Sequence, residues 1–450
     1  MMTCAVLRVT ARNETLLIVI KIAFIGAGSI EFTRNVATDL CGFAELSGQL
    51  HLSLHDISAE RLAFAERLVN RIVEQTGASV TVTASLERTV AIEGAKYVIN
   101  EVQVGGYDAT RLDFDIPAKF GLRQTIGDTI GIGGIFRGLR TIPVAVALAT
   151  DMLRHCPDAY LLNYTNPMAM LPWAIYAGTE FERVYGLCHS VRDTHAFLAG
   201  LVGVPEAEIS YTTAGFNHQA FVLQFERNGE SLYPKLTQVI DADPDGLGRR
   251  VRVELFRRFG YFPTESSEHS AEYVPWFMRH DSQVAHYRIF VGDYLARCEE
   301  NLAEFAELTR QLDADEQIEL DSGDELASQF IHSTETGEER EIYVNIRNNG
   351  KIENLPPDAC VEVPCYLGVG GPLPRAVGAL PVQLAALNRT FLNVVELTVQ
   401  AALTGNRDYV YQAALLDPNT SATLTTAETV AMCDELLDAH AAMLPPKLTR

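Results

Sequence analysis

The chain predicts an α/β fold, with a doubly wound parallel sheet in its first part and a second, mixed α+β lobe toward its C-terminus. Short apolar strands alternate with helical stretches from Ile22 to Leu187, the pattern of βαβ units whose strands run parallel. The first of those strands leads directly into a glycine turn ahead of a helix. Beyond about residue 200 the alternation gives way to a hairpin signal, long helices and returning strands. With 450 residues the chain is long for one compact domain, so two packed lobes are expected, 21–200 and 201–450, with 1–20 as an unassigned N-terminal extension.

Ile22 to Ile25 form the first strand and Gly26-Ala27-Gly28-Ser29 the turn. Gly26 permits the tight bend, Gly28 lets backbone approach a phosphate, and a helix over Phe32 to Leu40 would offer its open amide end to that phosphate. This is a Rossmann-like arrangement. Glu31 stands where a third glycine is usual, so the turn alone reads equally as a plain strand-to-helix connection. Leu50, Leu52 and Leu54 alternate with polar residues, and Asp56 follows at the strand end, where an acid accepts hydrogen bonds from ribose hydroxyls. Leu62, Ala65, Val69 and Ile72 recur at helical spacing with Gly77 as a stop. Val80 and Val82 mark a third strand, and Tyr97 to Val102 a fourth.

Gly105 to Gly134 holds seven glycines, the two ends included, among Asp108, Arg123, Asp128 and Thr129, and reads as one long loop of the kind that carries function. Ile135 to His155 is helical, with Pro143 as a kink or near a start. A fifth strand, Tyr160 to Leu162, precedes Asn163-Tyr164-Thr165-Asn166-Pro167-Met168. An asparagine there can hold a hydroxyl or a carboxamide, since its amide both donates and accepts, or it can cap the next helix.

Val184 to Leu187 stops at Cys188-His189-Ser190, and Tyr211 to Phe216 stops at Asn217-His218. Cys188 and His218, each delivered at a strand end, can meet at one metal ion above the sheet edge. Singly, each has an ordinary structural reading as a buried thiol or a hydrogen-bonded imidazole. A thiolate with an imidazole suggests zinc by ligand type, which does not name the metal. In the second lobe, Ala220 to Tyr233 reads as a hairpin turning at Asn228-Gly229. Val253 to Phe259 and Tyr294 to Leu312 are helical. Ile342 to Ile346, Val361 to Pro364 and Tyr366 to Val369 are strands, and Leu384 to Leu403 and Thr426 to Met443 are terminal helices.

The formal charge of -22 disfavours nucleic-acid and anionic-membrane partners, because the field of the protein repels phosphates. Leu16 to Ile20 is cut by Lys21 and is too short to cross a bilayer. The eight cysteines are scattered, as expected of free thiols in a reducing cytoplasm.

Gly26 to Ser29, Gly105-Gly106-Tyr107, Asn163 to Met168, Cys188-His189-Ser190-Val191, Gly215-Phe216-Asn217-His218 and Thr264-Glu265-Ser266-Ser267-Glu268-His269 together resemble glycoside hydrolase family 4. The similarity runs from about Lys21 almost to the C-terminus, through Asn345 to Asn348 and Asn354-Leu355-Pro356, and is greatest to the family's melibiose-cleaving α-galactosidases. The resemblance implies a fold related to lactate and malate dehydrogenases, NAD as cofactor and a divalent metal, usually manganese. Cys188 and His218 match the metal ligands, and Gly26, Ala27, Gly28, Ser29 and Asp56 fall where the dinucleotide binds. Asn166 matches a residue touching the sugar, with Asp128 as a second sugar-contact candidate.

The family is an exception to the two-carboxylate scheme of glycoside hydrolysis. The implied route oxidises the sugar at C3, removes the C2 proton, eliminates the C1 group, adds water and reduces the ketone again. His189 follows the ligand cysteine where other branches have aspartate, and is expected to protonate the leaving oxygen or to orient the sugar. Tyr273 and Glu265 are the base candidates. The expected substrate is a small α-galactoside such as melibiose or raffinose, and the expected assembly a cytoplasmic homo-oligomer. The alternatives are an α-glucosidase or α-uronidase of the same family, or an NAD-dependent 2-hydroxyacid or sugar dehydrogenase.

Overall fold

The computed structural model describes residues 19–320 and 325–449. The expected N-terminal extension therefore lies outside the described residues, apart from its last two. The first lobe comprises β1 (Ile20–Ile25), α1 (Ile30–Gly42), β2 (Leu50–His55), α2 (Ala59–Thr76), β3 (Val80–Ser85), α3 (Arg88–Ile92), β4 (Tyr97–Asn100), α4 (Gly106–Lys119), α5 (Gly131–His155), β5 (Tyr160–Asn163), α6 (Met170–Gly178), β6 (Val184–Gly186) and α7 (Ser190–Val202). There follow β7 (Ser210–Phe216), β8 (Gln219–Arg227), β9 (Glu230–Ser231), α8 (Tyr233–Ala242), α9 (Val251–Phe259), β10 (Phe262–Pro263), α10 (Ser267–Glu272), α11 (Asp281–His286), α12 (Asp293–Asp313) and α13 (Leu326–Thr336). The chain closes with β11 (Arg340–Arg347), β12 (Cys360–Leu367), β13 (Leu373–Pro374), α14 (Val382–Thr404), α15 (Asp408–Leu416), α16 (Pro418–Thr423) and α17 (Thr426–Ala439).

Six strands in the order β3-β2-β1-β4-β5-β6 pair in parallel, the doubly wound order of dinucleotide-binding sheets. Ile22, Ala23 and Phe24 are all fully buried, which is why β1 reads as a continuous apolar run: helices cover both faces of a parallel sheet. Ser58 caps α2 by accepting from Arg61 N, and Gly77 closes it with φ 67, the left-handed stop that the sequence predicts. The second lobe extends the same sheet. β11 joins β6, and β12, β7, β8 and β10 follow in antiparallel pairing. Two strands from late in the chain, β11 and β12, are thus inserted between β6 and β7.

Two expectations are corrected. Gly105 to Gly134 is not one loop: most of it is α4 and the first turn of α5, leaving only 120–130 irregular. The buried face of α4 includes Asp113 beside Ala109, Phe114 and Ile116. Asp113 is paired inside with Arg140 at 2.5 Å, and a buried charge breaks the amphipathic pattern. The glycines serve close packing, since a Cβ at Gly133 would stand 2.4 Å from Gly127 O and one at Gly134 2.6 Å from Thr129 C. Second, Val361 to Pro364 and Tyr366 to Leu367 are one strand, β12, running through Pro364, whose carbonyl accepts from Arg375 N at 2.8 Å, and Val369 lies beyond its end. The hairpin turns at Asn228 (φ 54) and Gly229 (φ 80) as expected, but Tyr233 starts α8. Helix α5 is long and apolar enough to cross a membrane, yet 78% of that stretch is buried, and it packs between α6, α14 and α4 as a core helix.

Candidate active site

At the glycine turn, Gly26 and Ala27 donate to His55 O at 2.9 and 3.0 Å, tying the turn to β2. Gly26 has φ +88, and a Cβ there would stand 2.9 Å from Val102 N. Gly28 donates to Asp56 Oδ2 at 3.0 Å, and Asp56 Oδ1 accepts from Ser58 N at 2.8 Å. A Cβ on Gly28 would meet Arg61 Cβ at 2.6 Å and Asp56 Oδ2 at 2.7 Å. Ser29 stands at the N-cap of α1, whose first amides are a natural anion seat. Glu31 is exposed, so the tight packing that calls for a third glycine does not arise there.

Cys188 leaves the end of β6, and His218 occupies the two-residue turn between β7 and β8. Glu265 lies between β10 and α10. Cys188 Sγ is 3.1 Å from His218 Nε2, and the donor atoms of Cys188, His218 and Glu265 all fall within 4.8 Å of one another. His218 (φ 64) and Glu265 (φ 66) are both left-handed, a conformation that costs free energy in non-glycine residues and collects at functional sites. Thr129 Oγ1 lies 3.1 Å from His218 Nδ1 and 2.7 Å from Asp128 Oδ1. The hydroxyl donates to the carboxylate and accepts Nδ1–H, which leaves the Nε2 lone pair facing the sulfur.

Asp128 Oδ2 accepts from Asn166 Nδ2 at 2.8 Å, so both sugar-contact candidates join this cluster. Arg137 donates to Asn166 O at 3.2 Å and to Tyr294 Oη at 3.0 Å. Burial would raise the Asp128 carboxyl, but the Arg137 guanidinium, with His269 and His218, outweighs it and holds the group below the usual aspartate value. Glu265 is likewise held low: burial opposes ionisation, and His269, His218 and Arg252 overcome it. Burial lowers His269 to about 4. Its ring lies edge-on to His218 at 4.5 Å. At Cys188 burial pushes the thiol well up, with Glu362 and Glu265 adding to it; a bound cation reverses such a shift. One thiol, one imidazole and one carboxylate thus form a donor set that fits a first-row divalent ion.

His189 faces elsewhere. Its Nε2 is 2.8 Å from Glu325 Oε2, and its ring lies 6.1 Å from that of Phe32 and 6.0 Å from that of Tyr164. Glu325 also accepts from Tyr164 Oη at 3.0 Å. Although burial opposes it, the His189 hydrogen bond holds the Glu325 carboxyl below the ordinary value. Tyr273 is 1% exposed, its ring edge-on to Phe216 and Phe391. Burial, with Asp128 and Glu272 nearby, pushes its hydroxyl well up. Glu272 accepts the backbone amides of Thr125, Ile126 and Gly127 and so anchors the segment that carries Asp128.

Sequence reasoning misses Glu325, Arg137 and the bridging role of Thr129, and it singles out Glu265 and Tyr273 from the stretch that also holds His269 and Glu272. Thr129 had a local signal beside Asp128. Glu325 had none, because its partner His189 is 136 residues away.

A doubly wound sheet with a glycine turn at one strand end, and a thiol, an imidazole and a carboxylate gathered at others, is a dinucleotide-type fold carrying a cluster that could hold a metal ion. Residues 21–204 match the model of Family 4 glycosyl hydrolase, and 213–420 that of the Family 4 glycosyl hydrolase C-terminal domain. The chain belongs to this family and is a glycoside hydrolase. It is 40% identical to an alpha-galactosidase of Bacillus subtilis (strain 168), across 94% of this chain and 99% of that protein. It is 36% identical to an alpha-galactosidase of Rhizobium meliloti (strain 1021), across 94% and 89%. Among solved structures, a 6-phospho-alpha-glucosidase from gut microorganisms, in complex with NAD and Mn2+, superposes with a TM-score of 0.80 at 20% identity, covering 95% of this chain and 99% of that one.

Proposed function

We propose that the chain is an α-galactosidase acting on small α-galactosides of the melibiose and raffinose type, with NAD and Mn2+ as cofactors. The observation that carries this reading is the convergence of Cys188, His218 and Glu265 beside the Asn166–Asp128 pair. The α-galactosidases that match over nearly their whole length supply the sugar, and the solved relative with NAD and Mn2+ bound supports the cofactors.

The backbone of Gly26 to Ser29 and the Asp56 carboxylate would hold the dinucleotide, and Cys188 and His218 the metal, with the Glu265 carboxylate beside them free to act as a base. When bound, the two cofactors supply reversible hydride transfer at C3 and electrophilic stabilisation of charge on the adjacent sugar oxygens. Asn166 and Asp128 bind and orient the sugar hydroxyls. Glu265, held ionised, takes the C2 proton in preference to Tyr273, whose hydroxyl is kept protonated by burial. His189, which points away from the cluster onto Glu325, would have to exchange that partner for the oxygen leaving C1 to give it a proton and later draw one from the entering water. Arg137 faces Asp128, Arg252 faces Glu265 and Arg297 pairs with Asp293 at 2.7 Å. With these cations matched, a neutral galactoside suits the pocket better than a phosphorylated or uronic sugar.

We read the enzyme as a cytoplasmic homo-oligomer, in keeping with the seven free cysteines among the described residues and with Trp276, Phe290 and Val291 exposed near one another in sequence. The test is a substrate panel with NAD+ and Mn2+. The expected outcome is a kcat/KM for melibiose about 100-fold above those for α-glucosides and α-galacturonides, with no net NADH. Faster turnover of a galacturonide would replace the substrate assignment, and stoichiometric NADH would replace hydrolysis by dehydrogenation.

A further inference from the structure

One row of residues crosses the sheet where its two halves join. Gly186 on β6 pairs with Asn345 on β11, Asn345 pairs with Glu362 on β12, and Glu362 pairs with Gly215 on β7. Cys188 lies just beyond one end of this row and His218 just beyond the other. Three strand spacings of about 4.8 Å separate β6 from β7, yet Sγ and Nε2 close to 3.1 Å. The backbone that presents the two side chains has to be held in register over two intervening strands.

The interior of the row is built to do this. Glu362 is 0% exposed, and its Oε1 accepts from Asn345 Nδ2 at 2.9 Å and from Asn217 Nδ2 at 3.1 Å. Asn217 precedes His218 in the turn, where φ of 64 is adopted only if the surroundings dictate it. Asn388 holds the same turn from the other side, accepting from Phe216 N at 3.0 Å and donating to Gln219 O at 3.1 Å. The ends of the row are glycines for steric reasons. A Cβ at Gly186 would stand 2.8 Å from Asn345 Cβ, and one at Gly215 would stand 2.7 Å from Asn388 Oδ1.

Apolar residues would fill this row at lower cost, because a buried carboxylate must be desolvated. Glu362 Oε2, Asn217 Oδ1 and Asn345 Oδ1 are buried without a hydrogen-bond partner among the described residues, an expense that packing alone does not require. We propose that Glu362 is a positioning residue for the metal centre, its Oε1 gathering the amides of Asn217 and Asn345 and so setting the turn that aims His218 at Cys188. The inference rests on Cys188 and His218 being metal ligands.

The test is Mn2+ affinity of the full chain with NAD+ present, read from free Mn2+ by electron paramagnetic resonance, for wild type, Glu362→Gln, Glu362→Ala and Asn217→Ala. Glutamine keeps an oxygen at the position of Oε1, so Glu362→Gln is expected to bind Mn2+ like wild type. Glu362→Ala and Asn217→Ala are expected to weaken it by about 10–100-fold, with NAD+ affinity and far-UV circular dichroism unchanged. If Glu362→Ala does not fold, the other two variants decide. Wild-type Mn2+ affinity in Asn217→Ala, or a folded Glu362→Gln that binds as weakly as the alanine variant, overturns the proposal. A wild-type chain that binds no Mn2+ overturns the metal reading as well, whereas a wild-type chain that binds it beside unaffected variants overturns the positioning role alone.

Discussion

In the parallel half of the sheet, Gly28 and Asp56 are 28 residues apart and meet across one strand pair. In the antiparallel half, Asn217 and Glu362 are 145 residues apart and meet because β12 is laid beside β7. The first half builds its turn from one segment and backbone geometry. The second builds its centre from the β7–β8 turn and the β10–α10 connection, with Cys188 from just past β6, Thr129 and Asn166 reaching in from the first. The contrast separates two tasks: holding a dinucleotide needs a short local motif, whereas placing metal donors against a sugar needs long-range pairing. Each half should therefore be breakable without the other.

The largest effect is expected from Cys188→Ser. Loss of a thiolate ligand removes electrophilic stabilisation that contributes several kcal/mol, so Mn2+-dependent hydrolysis should fall by about 10³-fold or more. NAD+ affinity, measured by fluorescence titration, should stay as in wild type; retained metal-dependent activity would rule out the proposed coordination. The converse variant is Gly28→Ala. Its Cβ would lie 2.6 Å from Arg61 Cβ, and overpacking of that kind costs about 1–3 kcal/mol, so NAD+ affinity should drop by roughly 10–100-fold with Mn2+ binding kept. Calorimetric titration of both ligands checks this, and a variant that loses both together would mean that the halves are coupled.

Asn166→Ala sits between the two halves. Removing its bond to the Asp128 carboxylate, of a kind that contributes about 1.5–3 kcal/mol, should raise KM for melibiose about tenfold, with kcat less affected. An unchanged KM in steady-state kinetics would remove Asn166 from the sugar site.

The smallest effect is a pH dependence. Burial pushes Glu272 up to about 7, above the value of about 4.3 for an unperturbed glutamate. Between these values the folded chain holds a proton on Glu272 that the unfolded chain has released, so this contribution to stability is complete at low pH and lost as pH rises toward 7. His195 and His269, lowered to about 3 and about 4 by burial, pull the opposite way below their unfolded value. The clean observable is thus a difference. Tm of wild type minus Tm of Glu272→Gln should fall as pH rises from 5 to 7.5, and a flat difference would contradict the assignment.

What the sequence discloses follows the same division. Leu50 to Asp56, Gly77 and the turn at Asn228-Gly229 are legible because each is set by neighbours within a few residues. Cys188 and His218 are legible as strand-end residues, though their approach needs two later strands that no local pattern predicts. Asp113 hides α4, since its partner Arg140 lies on another helix. Glu325, Glu272 and Glu362 look like ordinary surface acids in the sequence, and only the fold turns them inward toward His189, the Asp128 segment and the His218 turn.

The most direct measurement is hydrolysis of melibiose in heavy water with NAD+ and Mn2+, reading C2 of the released galactose by nuclear magnetic resonance. Proton removal at C2 beside the Cys188–His218–Glu265 centre predicts deuterium at that carbon. Galactose released with its C2 hydrogen wholly retained would contradict the account.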